Sequence, residues 1–186
     1  MFSKILALFV ACIFVAALAP APSSTIRSLV MIQYNHNVCT GFVVSASEGR
    51  VLTVAHCAPD DPNVELLVDG KPSKIIRVNE ALALLSIEPF SKPPLQIASD
   101  SPKVGDDVQA FGYGYGYLMV LKRAVAGYVD ENNHRDVILD GAIAQGMSGG
   151  PVVGVDGKVV GINQASDKFG ATSIVCDSKE IRKFLK

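Results

Sequence analysis

Two short runs in this chain combine residue types that suit covalent chemistry. Gly146-Met147-Ser148-Gly149-Gly150-Pro151 frames a serine with glycines, and Thr53-Val54-Ala55-His56-Cys57 places a histidine at the end of an apolar stretch. A serine oxygen attacks a carbonyl carbon when a base takes its proton and hydrogen-bond donors meet the oxyanion that forms. The small residues around Ser148 permit this: Gly146 lets the backbone turn so that its NH and that of Ser148 share one concavity, and Gly149-Gly150 leave room for substrate backbone. A Ser-Gly-Gly-Pro tetrapeptide alone also makes an ordinary loop, and His56 is what turns it into a nucleophile with a base. His36 and His134 read as structural or surface histidines. The histidines are not spaced with cysteines or carboxylates as a ligand set, so no metal and no cofactor is expected.

The elements that would hold these residues are strands. From Leu29 onward, short apolar or alternating runs are separated by Gly, Pro, Asn and Asp, which predicts strands at 29–34, 41–45, 50–55, 64–68, 74–78, 82–87, 107–112, 117–128, 136–139, 151–155, 159–165 and 172–175. Turn signals include Asp69-Gly70, Lys103-Val104-Gly105-Asp106 and Asp156-Gly157. This spacing implies an all-β sandwich or a pair of barrels. The proline-rich stretch 89–102 has neither period and reads as a connector between two halves. One helix is expected at the end, over 178–185, capped by Asp177 or Ser178 and presenting Ile181, Phe184 and Leu185 to the body. The biased segment Phe111-Gly112-Tyr113-Gly114-Tyr115-Gly116-Tyr117 reads as a turn between two strands in preference to a substrate-contacting aromatic loop.

The chain has 186 residues, 49% of them hydrophobic, enough for one compact unit or two small subdomains. A formal net charge of -1 with no basic run gives no footprint for nucleic acid. Met1-Phe2-Ser3-Lys4, the apolar stretch from Ile5 to Ala19 and the small residues after it have the layout of a secretory signal peptide, with the boundary between residues 17 and 23. The apolar run is short for a span of roughly 20 residues, so a membrane partner arises only if this segment is kept as an anchor. A secreted or periplasmic location, and a monomer, are the expectations. Cys12 would leave with the signal; in an oxidising compartment Cys39 and Cys57 could close a loop across adjacent strands, leaving Cys176 as a buried thiol.

The chain resembles the trypsin-like serine endopeptidases of the chymotrypsin fold, in their short bacterial and viral form. The matching residues run in family order: Cys39-Thr40-Gly41-Phe42-Val43-Val44, Val51-Leu52-Thr53-Val54-Ala55-His56-Cys57, Leu82-Ala83-Leu84-Leu85, Gly146-Met147-Ser148-Gly149-Gly150-Pro151 and Val160-Gly161-Ile162-Asn163. The segment 104–112 is similar to the strand that opens the family's second barrel. The resemblance implies two six-stranded antiparallel β-barrels, about 27–90 and 103–176, joined by a linker at 91–102 and followed by the C-terminal helix. It also implies a cleft between them with Ser148 as nucleophile, His56 as general base and then acid, and the NH groups of Gly146 and Ser148 as oxyanion hole. Ala142, Gln145, Asn163, Gln164 and Ala165 would line the substrate pocket. None is charged, which favours small or apolar substrate side chains.

Two departures bear on activity. Met147 stands where the digestive members carry the aspartate that receives a newly released N-terminus, so that activation switch is not expected. Ala81, just before Leu82, stands where the family's aspartate orients the histidine. Loss of that carboxylate costs on the order of 10⁴-fold in rate while the serine, the base and the oxyanion hole retain some catalysis. Glu80 is adjacent, but a one-residue offset on a strand sends it to the opposite face unless the backbone bulges; Asp60 and Asp61 read as turn residues. Two functions therefore stand. One is a secreted serine endopeptidase impaired at the acid position; the other is a non-catalytic relative that binds a peptide or partner protein in the cleft. The retention of Ser148, His56 and Gly146 favours the first.

Overall fold

A computed structural model describes residues 22–186 except 62, 90, 132 and 133. The export segment expected at the N-terminus lies, up to residue 21 and with Cys12, outside the described residues. A short helix α1 (Pro22–Ile26) precedes thirteen strands, in two groups.

The first group comprises β1 (Leu29–Tyr34), β2 (Asn37–Ser45), β3 (Arg50–Val54), β4 (Leu67–Val68), β5 (Lys71–Pro72), β6 (Lys74–Val78) and β7 (Leu82–Ser86). They form one sheet in the order β5-β4-β1-β2-β3-β7-β6. Its two edge strands, β5 and β6, are separated in the chain by Ser73 alone, so the sheet must curl until its edges almost meet. No ladder joins them: the Ser73 NH and hydroxyl both donate to the Leu66 carbonyl instead. The first barrel is thus closed by the covalent chain at Ser73 and open in its hydrogen bonding. Pro72, which cannot donate to a ladder, sits on that edge, where a strand prediction passes over it.

The second group comprises β8 (Asp107–Gly114), β9 (Tyr117–Glu131), β10 (His134–Leu139), β11 (Pro151–Gly154), β12 (Val159–Ser166) and β13 (Ser173–Asp177). These make a closed barrel in the order β10-β13-β12-β11-β8-β9. The all-β double-barrel reading holds. The Gly/Tyr segment is the tight turn of the β8–β9 hairpin: Gly114 pairs with Tyr117, and the two residues between them, Tyr115 and Gly116, have φ of 53° and 83°. Two positive φ values give a turn whose twist matches that of the strands.

Alternation fills both interiors. In the first sheet both faces are covered, Ile32, Val51 and Leu85 lying on one and Leu29, Phe42, Leu52 and Leu82 on the other, whereas Val108, Ala110, Val125, Val137, Leu139, Val152 and Val175 fill the interior of the second barrel. The connector is tied to both: the Leu95 NH donates to the Val43 carbonyl at 2.9 Å, and the Ala98 NH to the Val159 carbonyl at 2.8 Å. The terminal helix α2 (Ser178–Leu185) is capped by Asp177, whose carboxylate accepts from the Lys179 NH at 2.9 Å, and it buries Ile181 and Phe184. Arg77 of β6 stacks its guanidinium 4.5 Å from the Phe184 ring centroid and donates to that residue's carbonyl, which binds the helix to the first sheet. Among the described residues no helix is long and apolar enough to cross a membrane.

Candidate active site

His56 comes from the first sheet. β3 runs directly into a single 3₁₀ turn, Ala55–Cys57, which lifts the imidazole out of the ladder and leaves it exposed. The turn is fixed on three sides. The Ala55 NH donates to the Ala81 carbonyl at 2.9 Å, the Tyr34 hydroxyl donates to the His56 carbonyl at 2.8 Å, and Cys57 is joined to Cys39 of β2 by a disulfide. The expected Cys39–Cys57 bridge is therefore present. An imidazole nitrogen lies within 4.8 Å of both bridging sulfurs. Those sulfurs are bonded to each other, so this grouping offers no thiolate to a metal.

Ser148 comes from the loop before β11 in the second barrel, and the backbone there is bonded to an unusual degree. The carbonyls of Ala144, Gln145, Gly146, Met147 and Ser148 all accept hydrogen bonds: from the Met147 NH (3.0 Å), the Tyr115 NH (2.7 Å), the Thr40 hydroxyl (2.8 Å), the Gly150 NH (3.0 Å) and the Thr40 NH (2.8 Å), respectively. Among the described residues, the amides of Gly146 and Ser148 donate to nothing. In a trans peptide the carbonyl and the NH point in opposite directions. With the Gln145 carbonyl held by Tyr115 and the Met147 carbonyl held by Gly150, the NH groups of Gly146 and Ser148 are turned to the other side, where two donors await an acceptor. Gly146 has φ of 96°, and a Cβ there would lie 2.4 Å from the Tyr113 carbonyl oxygen, so this shape requires glycine. Met147 is fully buried in the second core and anchors the loop by an apolar side chain.

Thr40 of β2 joins the two halves. It is fully buried; its hydroxyl donates to Gly146 and accepts from the Tyr113 NH at 2.8 Å, its NH reaches the Ser148 carbonyl, and its own carbonyl accepts from the Thr53 hydroxyl at 2.8 Å. The Cys57 sulfur lies 3.8 Å from that same Ser148 carbonyl oxygen. Sequence reasoning gave Thr40 no role. Its signal, a polar residue between Cys39 and Gly41 on an otherwise apolar strand, could have exposed one.

The Ser148 hydroxyl donates to the Gln164 carbonyl at 3.0 Å. That carbonyl is available because β12 bulges: Asn163 faces Val175 and Ala165 faces Ile174, leaving Gln164 as the extra residue. No hydrogen bond reaches the imidazole of His56 among the described residues. Although the residue is exposed, neighbouring atoms strip part of the water from the ring, and this partial desolvation lowers its pKa from the ordinary histidine value, with no carboxylate acting in the other direction. Ala81 is half-buried beside the histidine turn, while Glu80 and Asp60 are exposed and the Asp61 carboxylate is occupied by Asn63.

Of the expected pocket residues, Ala142, Gln145, Gln164 and Ala165 retain some exposure. Asn163 does not. It is fully buried and its amide donates to the carbonyls of Phe111, at 3.0 Å, and Met147, at 3.4 Å. Its side chain braces the serine loop from within, because the bulge at Gln164 breaks the period of two and leaves Asn163 buried while Ala165 is exposed.

Residues 39–162 match the family described as the trypsin-like peptidase domain. The chain is 30% identical over 170 residues to the magnetosome formation protease MamE of Paramagnetospirillum magneticum, covering 80% of this chain and 23% of that protein. It is 33% identical over 138 residues to a probable periplasmic serine endoprotease, DegP-like, of Chlamydia pneumoniae, covering 68% of this chain and 28% of that one. It thus spans about a quarter of the length of these relatives. The Rv3671c protease of Mycobacterium tuberculosis, solved in an inactive form, superposes with a TM-score of 0.77 at 25% identity, covering 90% of this chain and 91% of that one. The order of the strands, the serine loop between glycines and the bridged histidine turn meet in one conclusion: this chain belongs to the trypsin-like peptidase domain family.

Proposed function

We propose that the chain is an exported serine endopeptidase of low intrinsic rate, acting through an acyl-enzyme on Ser148. His56 takes the serine proton and returns it to the leaving amine, and the NH groups of Gly146 and Ser148 stabilise the oxyanion. The observation that carries this reading is the pair of unspent amides at Gly146 and Ser148, held open by hydrogen bonds to the carbonyls on the far sides of their peptide planes. Such a pair has no structural use and suits a developing negative charge. Attack requires the Ser148 hydroxyl to turn from the Gln164 carbonyl toward the imidazole.

The proposed enzyme is slow because Ala81 offers no acceptor to the imidazole, which is free to choose either tautomer and to rotate. The uncharged walls at Ala142, Gln145, Gln164 and Ala165 suit small or apolar substrate side chains. We assign residues 1–23 to export, with the cut between 17 and 23, and residues 24–186 to the peptidase domain. A relative named as periplasmic supports that location.

The second reading, a cleft that binds a peptide or partner protein without cutting it, draws on the missing hydrogen bond to His56. Labelling with a fluorophosphonate separates the two. Slow labelling of the native chain, lost in Ser148→Ala and accelerated in Ala81→Asp, is the expected result. Labelling only after Ala81→Asp would establish the binding reading for the native chain, and labelling of neither would refute the site geometry.

A further inference from the structure

A second group of reactive side chains lies on the outer face of the closed barrel. Asp136 of β10 and Cys176 of β13 face each other in the antiparallel register, as do their neighbours Val137 and Val175. The valines belong to the barrel core, so alternation sends Asp136 and Cys176 outward, and Cys176 packs with Ile181 and Phe184 of α2. His134, two residues before Asp136, shares that face. Its Nε2 is 2.9 Å from Asp136 Oδ1, and its Nδ1 is 3.7 Å from Glu180 Oε2 on α2. One ligand atom from each of His134, Asp136 and Cys176 lies within 4.8 Å of the other two.

We propose that His134, Asp136 and Cys176 bind a divalent cation of the zinc class, with Glu180 holding the far ring nitrogen of His134. A nitrogen, an oxygen and a sulfur donor make a set that zinc accepts and that calcium and magnesium, which take oxygen, do not. A thiolate and a carboxylate together neutralise a dication, which suits a half-buried position. A carboxylate on the second nitrogen of a ligating histidine fixes its tautomer and raises its basicity, and Glu180, 3.7 Å from Nδ1, would take that role on closing to hydrogen-bond distance. Burial first, then the charges of Asp136, Glu180 and Asp177, push the Cys176 thiol well above its ordinary pKa. The carboxylates that oppose a bare thiolate attract a dication. The side chains of His134 and Asp136 are 29% and 22% exposed, so an ion enters from solvent, with the fully buried Cys176 as the floor. Coordination forms a metal–sulfur bond and releases the thiol proton to water. The ion would clamp β10 to β13.

The test uses the full chain, stripped with a chelator and titrated with Co²⁺ and Zn²⁺. One equivalent of Co²⁺ is expected to give thiolate-to-metal charge-transfer absorption that Zn²⁺ displaces. Cys176→Ser should abolish this absorption, and His134→Ala or Asp136→Asn should weaken Zn²⁺ binding at least tenfold. Glu180→Gln should weaken it by roughly 10- to 100-fold, and His56→Ala should leave the absorption intact. Should Cys176→Ser fail to fold, His134→Ala carries the test, because Zn²⁺ should raise the Tm of the native chain and not of that variant. Absence of thiolate absorption in the native chain, its persistence in Cys176→Ser, or unchanged Zn²⁺ affinity in His134→Ala overturns the proposal. The cluster would then be a histidine packed between two carboxylates.

Discussion

The serine loop and the histidine turn approach each other at the Ser148 carbonyl, 3.8 Å from Cys57 Sγ, and they are supported unequally. Every carbonyl from Ala144 to Ser148 has a donor, so two amides are left aimed by geometry. The histidine turn is fixed through its backbone and its disulfide, yet among the described residues its ring has no hydrogen-bond partner. Electrostatic stabilisation of an oxyanion depends on donors fixed before the reaction, whereas general-base catalysis depends on the orientation and pKa of one ring. A protein can therefore keep the first and lose much of the second through one side chain. In the function proposed above, Ala81 is that side chain.

Restoring the missing support should produce the largest effect. Ala81→Asp is expected to raise kcat by about 10³- to 10⁴-fold. It should also move the acidic limb of kcat/KM to higher pH, because a carboxylate beside the ring stabilises the imidazolium. In the native chain that limb is expected below the ordinary histidine value, since partial desolvation lowers the His56 pKa. The stability linkage has the same direction: the folded state favours the neutral ring, so this contribution is lost as pH falls from the unfolded histidine value through the lowered one. An unchanged rate and limb in the variant would place the defect outside residue 81.

Breaking the stronger side comes next. Thr40→Val removes the hydroxyl between the Gly146 carbonyl and the Tyr113 NH and leaves both buried groups unpaired. A loss of about 2 to 4 kcal/mol in urea unfolding should result, with a fall in kcat larger than the change in KM. Replacing both cysteines, Cys39→Ala with Cys57→Ala, opens a loop of 18 residues and should cost about 3 kcal/mol. The smallest effect belongs to Glu80→Gln. The carboxylate is exposed and bonds nothing near His56, so kcat/KM should stay within about twofold of the native value. A large drop would identify Glu80 as the substitute acid.

Much of this was legible in the residues. Turn chemistry and the period of two located most strands, because Gly, Pro, Asn and Asp interrupt the apolar runs where the backbone must reverse. The short β5 escaped, since Pro72 contradicts strand propensity and is tolerated only on an edge. Asn163 was misjudged as a pocket wall because the inward or outward sense of a strand depends on its partners, and β12 bulges one residue later.

The sequence by itself determined the serine, the histidine, the cysteine pair and the alanine at residue 81, because those are matters of residue type and order. Which amides remained unspent, and which residue coupled the two halves, were decided only by the tertiary structure. Thr40 meets Gly146 across a sequence separation of 106 residues. Asp136 comes to face Cys176 through a strand pairing. Local propensity carries no record of such encounters; they follow from closing a sheet on itself and burying one face of it, which selects a single register out of the many that alternation alone permits.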